Sequence, residues 1–90
     1  MDNNKTKIKL IERFLSELKV EGICGFWVDD DEEDTSQVIQ VIIFLDIDWI
    51  ETIPTKPEFI AKRMRMGVQE EIKKWLGLDV KVGSTAKKCD

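Results

Sequence analysis

The chain has 90 residues, 42% of them hydrophobic and 36% charged, and carries a net charge of −4. That is one domain around one core, in a size class that buries roughly 60–65% of the surface its unfolded form exposes. Histidine is absent, which excludes every catalytic triad or general base built on imidazole. No stretch approaches the ~20 apolar residues of a membrane helix.

In chain order, the spacing of Ile8, Ile11, Leu15 and Leu18 predicts a first helix over residues 4–21, with Leu10 and Phe14 widening its apolar stripe. Asn3 or Asn4 is suited to cap its start, and Gly22 is placed to end it. A first strand is expected from Ile23 to Asp29. The run Asp29-Asp30-Asp31-Glu32-Glu33-Asp34 then forms the acidic part of a hairpin loop over 29–36, because adjacent acids repel unless solvated.

A second strand is expected from Gln37 to Ile47, paired antiparallel with the first. It lies within the β-like run from Val38 to Trp49, which is apolar on both faces. Alternation puts Ile39, Val41, Ile43, Leu45, Ile47 and Trp49 on one side. Val38, Gln40, Ile42, Phe44, Asp46 and Asp48 fall on the other. Residues 48–54 read as a connection. A second helix is expected to start at Thr55 with a capping box to Glu58, Pro57 being tolerated in the first turn. Its buried stripe is Ile60, Met64, Val68, Ile72 and Trp75, with Phe59 and Leu76 beside it. Gly67 is expected at a close packing contact, Gly77 is the expected C-cap, and Leu78 is placed to pack back on the last turn. A third strand is expected over 79–83, with Val80 and Val82 facing in.

This order, α-β-β-α-β, gives a two-layer α/β (α+β) fold: a three-stranded sheet with two helices packed on one face. Residues 1–90 form a single domain with frayed ends at 1–3 and 84–90. Strand three is expected beside strand one, with strand two at an edge. At the level of topology the order resembles half of a ferredoxin-like domain, or the small α/β domains of cation-efflux transporters, and that likeness implies nothing about function.

Helices for one face only leave the other face of the sheet open. That face is expected to show Ile42, Phe44, Gln40 and Lys81, with Trp27 or Phe26 according to register. An exposed apolar patch of this kind marks a contact surface. The first reading is therefore a non-enzymatic interaction module, self-associating as a homo-oligomer or docking on another protein through Ile42, Phe44, Trp27 and Gln40. It needs no cofactor and no membrane, and it is expected to be cytoplasmic, since the polar first residues lack the apolar run of a signal peptide.

Two other readings rest on charge. Residues 1–54 hold five basic and thirteen acidic side chains, and residues 55–90 hold nine basic and five acidic. The acidic half argues against nucleic acid as a partner, because phosphate binding rests on cations. The loop Asp29, Asp30, Asp31, Glu32, Glu33 and Asp34 could itself imitate a phosphate track, as an acidic inhibitor does. On the second helix, Lys62, Arg65, Gln69 and Lys73 share one exposed basic face.

Asp46 and Asp48, two apart on a strand, would project together and could hold a divalent cation. Leu45-Asp46-Ile47-Asp48 resembles the carboxylate segment of nucleotidyltransferases of the polymerase-β type. Val82-Gly83-Ser84-Thr85-Ala86-Lys87 resembles their Gly-Ser loop, in reversed order. The resemblance implies nucleotidyl or phosphoryl transfer with Mg²⁺ or Mn²⁺ held by Asp46 and Asp48. The two cysteines, Cys24 and Cys89, are expected to be free thiols, one in the core and one in the tail.

Overall fold

The structure, a computed structural model, describes residues 3–30 and 39–89. Its elements are α1 (Asn3–Glu17), β1 (Ile23–Asp30), β2 (Ile39–Asp46), α2 (Ile47–Glu51), α3 (Pro57–Leu76) and β3 (Val80–Lys87). The fold is α+β, with a three-stranded mixed sheet in the order β1-β2-β3. β1 runs antiparallel to β2, and β3 runs parallel to it. β2 is thus the central strand and not an edge. The cause is its composition: Ile39, Val41, Ile43 and Leu45 are all buried, and a strand this apolar is best shielded by a neighbour on each side.

The core forms where these four side chains meet Ile11 and Leu15 of α1, Val28 of β1, Ile50 of α2, Val80 of β3, and Ile60, Val68 and Ile72 of α3. The helical periodicity of α3 accounts for the last three. Phe59 and Trp75, expected beside or within that stripe, stay 59% and 64% exposed. Phe59 lies one position before the buried row, whereas Trp75 keeps its spacing but stands in the last turn, where it bonds Glu71 and meets Lys74.

Several boundaries differ from those expected. α1 ends at Glu17 rather than at Gly22, and its end is tightened by Leu18 N–H bonds to both Phe14 and Leu15 carbonyls. Gly22 instead serves a turn into β1, with φ of 91°. Its carbonyl accepts from the Asp46 amide at 2.9 Å, and the Trp49 ring occupies the place a Cβ would need. α3 starts at Pro57, so the expected Thr55–Glu58 capping box does not form. The N-cap is Lys56, with no side-chain cap bond. A residue before proline is held out of the helical region, and Lys56 is extended (φ −60°, ψ 132°), so the proline fixes the start. At the other end Gly77 takes the left-handed conformation (φ 68°) and donates to Lys73 O, as its sequence position implied.

The connection after β2 contains the short helix α2. Asp46 ends the strand because its carboxylate accepts the Asp48 amide at 3.0 Å, capping α2. β3 runs four residues past Gly83. The segment 84–87 is therefore strand and not frayed tail, paired with β2 from Ile43↔Ser84 to Asp46↔Lys87.

Candidate functional site

β2 lies at the centre of the sheet, and its register with both neighbours defines the face turned away from the helices. Three rows cross it. Asp29, Gln40 and Lys81 form one, Trp27, Ile42 and Gly83 the next, and Gly25, Phe44 and Thr85 the third. Trp27, Ile42, Phe44 and Gln40 are thereby brought to one surface. Phe26 pairs with Ile43 and packs toward the core. The register settles the choice between Trp27 and Phe26 that the sequence left open. A bulge between Ile23 and Gly25 makes this arrangement work. It leaves Ile23 packed on the core while Gly25 and Trp27 share the outer face.

The Phe44 end of this face is roofed by the chain itself. The Lys87 ammonium stands 4.8 Å from the centre of the Phe44 ring. On the other side the ring lies against Gly25, where an added Cβ would stand 3.1 Å from it. Cys24 and Cys89 are joined in a disulfide, with their Cα atoms 6.0 Å apart. This corrects the expectation of two free thiols, and Cys24 is exposed rather than in the core. Outer strands of a three-stranded sheet lie about 9.5 Å apart, two spacings of ~4.8 Å. The shorter span means that the chain after β3 swings inward, across the end of β2, to reach β1.

The Trp27 end has no such cover from the described residues. Trp27 is 56% exposed. Ile42 beside it is half-buried, and Gly83 beyond it adds no side chain. The face is therefore a shallow surface with one projecting aromatic, flanked by the row of Asp29, Gln40 and Lys81.

The basic face of α3 has a structural occupation. Arg65 donates to Ser84 Oγ at 2.9 Å, Gln69 Nε2 donates to Val80 O at 2.9 Å, and Lys73 pairs with Asp79 at 2.7 Å. These three residues, spaced four apart, fasten α3 to β3 and to Asp79, the residue that leads into it. Lys62 stays exposed on the helix.

Asp46 and Asp48 do not share a strand face: the first is the cap of α2 and the second lies in its first turn. Gly83 and Ser84 sit inside β3, not in a loop. Among the described residues no group of three or more Cys, Asp or Glu side chains is gathered as a metal site would need. Of the acidic loop, Asp29 and Asp30 belong to the end of β1, and Asp31, Glu32, Glu33 and Asp34 lie outside the described residues. Among the described residues no helix is long and apolar enough to cross a membrane.

One further surface was not legible as a site in the sequence. A groove of about 740 Å³ lies between the end of α1 and the outer side of α3, lined by Leu18, Val20, Phe59, Arg63, Gly67 and Glu71 among others. Its signal was Gly67, which meets nothing within 4 Å of an added Cβ. The close contact expected for this glycine is not made among the described residues.

No family model, no curated protein and no solved structure matches the chain.

Proposed function

We propose that the protein is a non-enzymatic interaction module that associates, with a second copy or with another protein, through the open face of its sheet. The observation that carries this reading is Trp27: a tryptophan more than half exposed, standing on a rigid paired strand beside Ile42. Covering roughly 100 Å² of such a ring is worth about 2.5 kcal/mol at ~25 cal/mol per Å², and tryptophan is the residue most often found at the energetic centre of an interface.

Phe44 is a supporting residue in this reading, because Lys87 and Gly25 already flank its ring. Trp27→Glu is accordingly the informative substitution. The test compares wild-type and Trp27→Glu protein by light scattering over a concentration series and by capture of proteins from the native host. The reading expects Trp27→Glu to lower the mass of the assembly or to remove the captured partner while the thermal midpoint stays unchanged. Identical masses and an identical captured set for both proteins would refute it.

A further inference from the structure

The residues Phe59, Arg63, Gly67, Glu71 and Trp75 are spaced four apart on α3 and so form one continuous i±4 ridge. At 1.5 Å per residue the ridge spans about 24 Å, nearly the whole helix. Its chemistry is symmetric about its centre. Aromatic rings stand at both ends, an arginine and a glutamate stand one turn from the middle, and the middle is a glycine.

Three features of this ridge are left open to a partner, although the Trp75 ring also meets the Lys74 ammonium, 5.3 Å from its centre. Gly67 destabilises a helix interior by roughly 1 kcal/mol relative to alanine, yet among the described residues nothing beyond its own helical neighbours lies within 4 Å of where its Cβ would be. Phe59 and Trp75 leave 59% and 64% of their surfaces in solvent. Arg63 and Glu71 lie two turns apart, about 12 Å along the helix, too far to pair with each other, and Glu71 accepts a 2.7 Å hydrogen bond from Trp75 Nε1. That bond fixes Glu71 and Trp75 relative to each other and leaves the carboxylate with further acceptor positions.

The geometry points to a second copy of this chain as the occupant: two α3 helices cross antiparallel at Gly67, related by a twofold axis. Packing one i±4 ridge along another produces the commonest helix crossing, near −50°. An antiparallel twofold at Gly67 sets Arg63 of each protomer against Glu71 of its partner, and Phe59 of each against the other's Trp75. Glycine at the crossing point lets the two backbones approach closely. An isologous contact needs a self-complementary surface, and opposite charges placed symmetrically about the centre supply it. The inference does not rest on the sheet-face reading. The ridge lies on the helical layer, so the dimer would leave both sheet faces free and present them bivalently.

The test uses sedimentation velocity on the full chain carrying Trp27→Glu, which removes any association through the sheet. That protein is expected to be a dimer. Arg63→Glu alone places Glu against Glu, and Glu71→Arg alone places Arg against Arg. Each is expected to raise the dimer dissociation constant at least about tenfold. An equimolar mixture of the two restores both attractive pairs, as does the double variant Arg63→Glu/Glu71→Arg, and both are expected to dimerise again. Loss of the Trp75 hydrogen bond is common to Glu71→Arg alone and to the mixture, so it cannot produce the rescue. Gly67→Gln is expected to dissociate the dimer without lowering the thermal midpoint of the dilute protein. A monomer before any α3 substitution, a mixture that stays monomeric, or a Gly67→Gln protein that still dimerises would each overturn the inference. None of these outcomes bears on whether Trp27 is buried by a partner.

Discussion

The Lys87 ammonium stands over the Phe44 ring at 4.8 Å from its centre, and this contact divides the open face of the sheet in two. On one side of it the chain after β3 turns inward to bind Cys24 through Cys89. On the other side Trp27 and Ile42 have no such roof. A surface that reads as uniform in the sequence is thus closed at the end where β2 meets α2 and open toward the row of Gln40.

The disulfide closes a segment with a sequence separation of 65 residues, which includes β2, α2, α3 and β3. Loop-closure entropy for a ring of this length is worth about 4 kcal/mol. Reduction, or the double substitution Cys24→Ser/Cys89→Ser, is therefore expected to destabilise the fold by that order, measured by urea unfolding with and without reductant. It is also expected to free the chain after β3 and increase dye binding at Phe44. An unchanged unfolding midpoint would show that the bond constrains nothing.

Two glycines with positive φ separate backbone strain from collision. Gly77→Ala meets open space and is expected to cost about 1 kcal/mol for the left-handed conformation alone. Gly22→Ala adds to that penalty a clash with the Trp49 ring, and is expected to cost about 3 kcal/mol. Equilibrium unfolding of both variants gives the order. A Gly22 variant as stable as the Gly77 variant would mean that the ring yields freely.

The central position of β2 makes its two faces unequal. Ile43 has no solvent exposure, and Ile43→Ala is expected to cost about 3–4 kcal/mol, with the loss of transfer energy and a residual cavity both contributing. Ile42, one residue earlier on the open face, is half-buried, and Ile42→Ala is expected to cost about 1 kcal/mol. Similar losses at the two positions, measured by chemical denaturation, would contradict the assigned faces.

Much of this was legible because periodicity reports burial directly. Ile11, Leu15, Ile60, Val68 and Ile72 were found from helical spacing, and Ile39, Val41, Ile43 and Leu45 from alternation. The elements that escaped depend on long-range partners. Asp46 could not be recognised as a cap of α2 rather than a strand residue until its carboxylate met the Asp48 amide. Ser84 to Lys87 are strand only because β2 offers them a parallel ladder. Cys24 and Cys89 become neighbours only once β1 and β3 flank the same strand. The open face was visible as a pattern, but the choice of Trp27 over Phe26 depends on a bulge, and no local propensity encodes that register.

The account turns on Trp27 being a contact residue, and ¹⁹F NMR of protein labelled with 5-fluorotryptophan reads that residue directly. Three resonances are expected, one for each of Trp27, Trp49 and Trp75, assigned by single Trp→Phe variants. Broadening by a soluble nitroxide then measures the solvent access of each ring. The account predicts that the Trp27 signal becomes protected from the nitroxide as the protein is concentrated or as native-host proteins are added. A Trp27 signal that stays fully accessible under both conditions would contradict it.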